Sequence, residues 1–120
     1  MKEELYCYLR VSTQQQVDEG HSIENQRFLG KRLSKQLKMK YVEMNEGGLS
    51  SMKETRPKFE ELKMGIRSGR IKNVWYLTRS RWSRNTIEDL LMRDNYFVPY
   101  KVKVFEGENG QRRKFEDSKD

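Results

Sequence analysis

One serine and several arginines dominate the chemistry this chain can offer. Ser12 lies two residues past Arg10 in Tyr8-Leu9-Arg10-Val11-Ser12-Thr13, at the end of an apolar run and ahead of Gln14-Gln15-Gln16. Arg56 precedes Pro57, and Arg79, Arg81 and Arg84 follow within one short stretch. A hydroxyl on a turn just past a strand, beside a permanent cation, is placed like a nucleophile. Guanidinium groups match phosphate bidentately and stay charged at every working pH. With a single histidine and a single cysteine in the chain, this set points to phosphate rather than acyl chemistry. Each residue also has a plain structural role open to it. Ser12 taken alone reads as a turn or helix cap, Arg10 as a strand-end ion-pair partner, Arg56 as the residue before a helix start, and Arg79 as a solvated loop charge. Arg81 and Arg84 could share a helix face and pair with Glu88 or Asp89.

The bulk composition agrees with an anionic partner. The chain carries 25 basic and 18 acidic residues, a formal net charge of +7, with a sequence pI near 9.6. Such a balance favours nucleic acid first. The length of 120 residues predicts one domain. Leu, Ile, Val and Phe make up 26 residues, enough for a small core but just above the level where disorder becomes the default. A mean hydropathy of -1.05 predicts a very polar surface. Cys7 as the only cysteine excludes an intramolecular disulfide and is expected to be a buried small hydrophobe. His21 has no zinc-ligand company, so no metal is expected. No signal peptide and no run of 18 apolar residues is seen, which predicts a cytoplasmic protein with no membrane partner.

The elements that must position these residues follow from periodicity. Leu5 to Val11 reads as a buried strand. Ser22 is expected to cap a helix running to about Lys38, with Leu29, Leu33 and Leu37 on one stripe. Tyr41 to Met44 reads as a second strand, and residues 45–55, with Gly47-Gly48, as a loop. Pro57 suits the first position of a helix carrying Phe59, Leu62 and Ile66, stopped by Gly69. Ile71 to Leu77 reads as the third strand. Asn85 and Glu88 resemble a capping box ahead of Ile87, Leu90 and Leu91, and Val98 to Phe105 reads as the last strand. Residues 106–120 are polar and read as a loose tail or the truncated start of a following helix, leaving residues 1–105 as the domain. Strand and helix alternate, which predicts a three-layer α/β fold with a mostly parallel sheet of four to five strands flanked by helices. Functional groups in such sheets gather at the carboxyl ends of strands. Arg10 and Ser12, Glu46, and Arg79 to Arg84 are all expected there.

In order along the chain, these residues resemble the catalytic domain of the serine recombinases, the resolvase/invertase family with its large phage-integrase-like branch. The resemblance rests on Tyr8-Leu9-Arg10-Val11-Ser12-Thr13 with Gln16, Gly20-His21-Ser22-Ile23-Glu24-Asn25-Gln26, Glu46-Gly47-Gly48-Leu49-Ser50-Ser51, Arg56-Pro57 with Phe59, and Arg81-Trp82-Ser83-Arg84-Asn85. It implies a resolvase-like fold and Ser12 as nucleophile, with Arg10, Arg56, Arg81 and Arg84 as the catalytic arginines. It implies supporting roles for Gln16, Gln26, Glu46 and Ser80, the last standing where the family usually has aspartate, a candidate general acid. The implied reaction is attack on a DNA phosphodiester, a 5′-phosphoserine intermediate, strand exchange within a tetramer assembled from homodimers, and religation, with no cofactor. The family's long helix would begin after residue 105, so the chain is expected to be an excised catalytic domain or a short relative.

The segment 70–84 carries Arg70, Lys72, Arg79, Arg81 and Arg84 and no acid. Arg70, Lys72 and Arg79 are accordingly expected to contact the DNA backbone, a sequence-independent and salt-sensitive interaction. Two alternatives remain at this point. One is a relative that keeps DNA binding and has lost recombination, for which Ser80 and the missing helix speak. The other is a flavodoxin-like nucleotide binder, which the lack of a Gly-rich loop after the first strand disfavours.

Overall fold

The computed structural model describes residues 2–11, 22–46, 56–79 and 86–115. Five strands, β1 (Glu4–Leu9), β2 (Lys40–Asn45), β3 (Asn73–Tyr76), β4 (Lys103–Glu106) and β5 (Gln111–Arg113), form one sheet in the order β2-β1-β3-β4-β5. The first three pairings are parallel and only β4–β5 is antiparallel. Helices α1 (Ile23–Leu37), α2 (Pro57–Arg67) and α3 (Thr86–Met92) alternate with the strands. This is the expected three-layer, mostly parallel α/β architecture.

Period-two alternation builds the two halves of the core. Leu5, Cys7 and Leu9 of β1 pack with Leu29 and Leu33 of α1 and with Trp75 of β3. Tyr6 and Tyr8, on the opposite face, pack with Phe59, Leu62 and Ile66 of α2 and with Val74 and Tyr76. The central strands β1 and β3 are buried on both sides, so β1 reads in sequence as a continuous apolar run rather than a clean alternation. Cys7 is a fully buried thiol, and burial pushes its pKa up.

The helix ends obey local rules. Ser22 Oγ accepts from the Asn25 N–H at 3.0 Å, capping α1, and Pro57 occupies the first turn of α2. Gly69, at φ +83°, ends α2 while the Arg70 N–H reaches the Gly65 carbonyl at 2.9 Å, which only an unhindered left-handed residue does cheaply.

The structure departs from expectation in the last third. The strand expected over Val98 to Phe105 is confined to Lys103–Glu106. A π-helical turn over Arg93–Phe97 extends α3, Phe97 is buried in the core, and Pro99 falls in the turns that follow. Part of the stretch expected as a polar tail is instead a hairpin. Residues 107–110 turn the chain and β5 adds to the edge of β4, Val104 pairing with Arg113. Polar side chains suit an edge strand as well as a tail, because the sheet's hydrogen bonds need no apolar residue. Finally, α3 leaves Ile87 and Leu91 more than half exposed, while Asp89 and Met92 face inward.

Candidate functional site

Just past the carboxyl end of β1, the chain is held by a side chain. Gln26 sits in the first turn of α1 and is fully buried. Its Oε1 accepts from the Arg10 N–H at 3.3 Å and its Nε2 donates to the Arg10 carbonyl at 3.0 Å. The amide thus occupies both hydrogen-bonding groups of Arg10, where the sheet ladder has ended, and fixes the backbone two residues before Ser12. Val11 is buried beside it.

Glu46, buried at the end of β2, ties three elements together. The Glu46 N–H donates to the Leu9 carbonyl at 2.9 Å. Its Oε2 accepts from the Tyr8 hydroxyl and from the Phe59 N–H, each at 2.9 Å. The second bond satisfies an orphan amide in the first turn of α2, where a carboxylate also meets the positive end of the helix dipole. Burial raises the Tyr8 pKa and the Glu46 carboxylate raises it further, against the lowering effect of Arg56 and Arg10. Tyr8 therefore stays a donor. Glu46 Oε1 is buried without a hydrogen-bond partner among the described residues.

Arg56 precedes α2 and its guanidinium carbon lies over the Phe59 ring, 4.2 Å from its centroid. Its guanidinium forms an ion pair with Glu88 of α3 and is about nine-tenths buried. The adjacent Asp89 receives Arg113 of β5 through two bonds of 2.9 and 2.6 Å. Arg113 continues to the Tyr76 hydroxyl at 2.8 Å, which donates to Glu106 at 2.9 Å. Arg79 closes the chain with two bonds to Glu106 of 3.0 and 3.1 Å. Burial raises the Glu106 pKa, but hydrogen bonds from Arg79 and Tyr76 and the charges of Arg79 and Arg113 outweigh it and leave it lowered. The acidic pair on α3 is thus engaged by Arg56 and Arg113, which sequence spacing does not indicate.

The expected site residues fall into three groups. Arg10, Gln26, Glu46 and Arg56 come together where β1 and β2 end and α2 begins, and Arg79 sits past the end of β3. Arg70 and Lys72 do not join them: they precede β3 and lie at the opposite, amino edge of the sheet, beside Glu4 and Lys103. Arg70 and Lys72 are therefore not on one face with Arg79, because β3 runs between them. Ser12, Gln16, Ser80, Arg81 and Arg84 lie outside the described residues. Tyr8, Glu88, Asp89, Glu106 and Arg113 belong to the same network and escape a motif reading. Tyr8 stands within the quoted opening motif, but nothing in the spacing marks Arg113 as a partner of α3. Among the described residues no group of His, Cys, Asp or Glu is placed to hold a metal ion, and no helix is long and apolar enough to cross a membrane.

Comparison with known proteins supplies the lineage of this arrangement. A family model described as the resolvase N-terminal domain matches residues 5–118. The chain is similar to the N-terminal catalytic domain of TP901-1 integrase, with a TM-score of 0.75 and 21% identity over 97% of this chain and 86% of that one. It is also similar to a resolvase family site-specific recombinase from Streptococcus pneumoniae, with a TM-score of 0.73 and 29% identity over 99% of this chain and 78% of that one. No curated protein matches.

Proposed function

Because the chain belongs to the resolvase N-terminal domain family and is a site-specific recombinase catalytic domain, we propose that Ser12 is the nucleophile that opens a DNA phosphodiester. Ser12 Oγ attacks phosphorus and loses its proton, the bond from phosphorus to the 3′-oxygen breaks, and that oxygen leaves as a hydroxyl. The 5′-phosphoserine retains the bond energy, so the reverse attack by a 3′-hydroxyl rejoins the strand. Arg10, Arg56, Arg81 and Arg84 neutralise the non-bridging oxygens as charge builds in the transition state. Gln26 orients Arg10, and Glu46 sets the start of α2 and with it Arg56. In the assembled enzyme, strands exchange within a tetramer built from homodimers, in the cytoplasm. Religation needs no cofactor.

The observation that carries this reading is the grip of Gln26 on both backbone groups of Arg10. A fully buried amide spent on one residue at the mouth of the sheet holds the approach to Ser12 rigid, as a positioned nucleophile requires. The test is incubation with a nicked suicide DNA substrate carrying the target site, with Ser12→Ala in parallel. A covalent protein–DNA adduct on a denaturing gel, present only with Ser12 intact, is the expected outcome.

A second reading, a relative that binds DNA without cleaving it, is favoured by Ser80 and by the pairing of Arg56 with Glu88. Under that reading the same experiment gives salt-dependent DNA binding and no adduct.

A further inference from the structure

A single guanidinium on the edge strand β5 connects two separate cations of the carboxyl edge. We propose that Arg113 is a positioning residue for DNA cleavage: through Asp89 it fixes α3 and with it the Glu88–Arg56 pair, and through Tyr76 it fixes Glu106 and with it Arg79. The inference rests on the reading of Arg56 as a cleavage residue and adds one that acts through other side chains.

The first arm starts from how α3 is seated. Of its seven residues only Asp89 and Met92 are buried, while Ile87, Leu90 and Leu91 stay exposed. An apolar stripe therefore does not seat this helix. Met92, and Phe97 beyond it, anchor the far end in the core. Asp89 anchors the half that carries Glu88. Both its oxygens accept from Arg113, Oδ1 from Nη1 at 2.9 Å and Oδ2 from Nη2 at 2.6 Å. A fork on a carboxylate fixes distance and angle together. Glu46 already sets the first turn of α2, and so the backbone beside Arg56. The guanidinium end of Arg56 is paired with Glu88, so its place depends on where Arg113 holds α3.

The second arm leaves from the same nitrogen. Arg113 Nη1 donates to the Tyr76 hydroxyl at 2.8 Å. Arginine has no acceptor, so the hydroxyl proton is directed to Glu106 Oε1, 2.9 Å away. Glu106 then takes Arg79 with both oxygens, at 3.0 and 3.1 Å. The Arg79 side chain is 53% exposed, so this cation is presented at the surface with its head held.

Arg113 is itself fixed. It lies over the Phe115 ring, 5.1 Å from the centroid, and Phe115 stacks on the buried Phe97. The Arg113 and Asp89 side chains are 10% and 9% exposed. Desolvation offsets most of the attraction in such a pair, and well-packed apolar residues stabilise a fold as well or better. Apolar residues lack the fork that orients α3 and the donor that orients Tyr76. The pair therefore supplies direction rather than net stability.

The test compares the 120-residue chain with Arg113→Lys, which keeps the charge and loses the fork, and with Arg113→Met/Asp89→Leu, which removes the pair without leaving a buried charge. Arg112→Gln, an exposed neighbour on β5, controls for net charge. Side-chain Nε–Hε NMR signals of Arg56 and Arg79, assigned with Arg56→Lys and Arg79→Lys, report the place of each guanidinium whether or not DNA is cut. Adduct formation on the suicide substrate is followed in single turnover over a range of DNA concentrations. The double variant is expected to keep its thermal midpoint and to shift both arginine signals. Its rate at saturating DNA is expected to fall about ten- to a hundredfold, while the DNA concentration giving half that rate changes by less than about twofold. Arg113→Lys is expected to fall between, and Arg112→Gln to match the wild type. Unmoved arginine signals in the folded double variant overturn the inference. So does an unchanged saturating rate, and so does a rate loss that Arg112→Gln reproduces. Moved signals with no adduct even from the wild type would uphold the hold of Arg113 on both cations and sink the assignment of Ser12 instead.

Discussion

Single side chains at the carboxyl edge act through backbone and charge rather than through bulk. Gln26 holds both polar groups of Arg10. Gln26→Leu should therefore cost about 2–3 kcal/mol, from two lost hydrogen bonds and the desolvated groups left behind. Urea unfolding monitored by circular dichroism checks this, and a loss under 1 kcal/mol would mean water replaces the amide freely. Arg56 presents the opposite case, a cation already neutralised by Glu88. Glu88→Gln removes that competitor for phosphate. DNA binding at low salt is then expected to tighten by up to about tenfold, on the order of 1 kcal/mol. Fluorescence anisotropy measures it directly, and weaker binding would instead make Glu88 the support that aims Arg56.

Elements meet through close approaches and a few ion pairs. The Gly65 position in α2 has no room, since a Cβ there would lie 2.3 Å from Ile71 Cδ1 and 2.6 Å from its Cγ1. Gly65→Ala gains about 1 kcal/mol of helix propensity but meets an overpacking cost of about 1–3 kcal/mol. A net loss in thermal stability is expected, and a higher Tm would show that Ile71 yields without strain. On the other side of the sheet, α1 is tied to the edge strand β2 by Arg27 and Glu43, with bonds of 2.7 and 2.9 Å. The Arg27 hydrogen bond, helped by Tyr41 and Asn45 against burial, lowers the Glu43 pKa from 4.5 to about 2. A folded-state pKa below the unfolded value means the stabilisation is fully present above about pH 4.5 and is lost as the pH falls toward 2. Glu43→Gln should flatten that acid limb of the stability curve; an identical acid limb would mean the pair contributes nothing.

At the scale of the whole molecule, the sheet separates two basic regions. The six residues of β1 span about 20 Å, so the cations of the amino edge cannot act on a phosphate held near Arg10. Binding of the intact chain to DNA should still fall steeply with salt, with a slope of roughly -0.9 per phosphate neutralised. A flat salt response would argue against any phosphate-binding face. The exposed Ile87 and Leu91 lie on α3, the helix whose Glu88 holds Arg56 and whose Asp89 holds Arg113.

Motif order and hydrophobic period by themselves determined the strand–helix alternation, the parallel sheet, the Ser22 cap, the Pro57 start and the placement of Arg10, Glu46 and Arg79 at the carboxyl edge. All of these follow from local backbone preferences or from the rule that strand ends share an edge. The partner of each charge did not follow. Arg27 with Glu43, Arg56 with Glu88 and Arg113 with Asp89 are separated by 16, 32 and 24 residues, and charges of either sign are plentiful enough that spacing selects none of them. The split of Arg70 and Lys72 from Arg79 was equally invisible, since residues adjacent in a basic run lie at opposite ends of a strand once β3 forms between them. The last strand and the β4–β5 hairpin also waited on tertiary structure. A polar edge strand and a polar tail have the same composition, and only the open edge of β4 distinguishes them by offering hydrogen bonds to one.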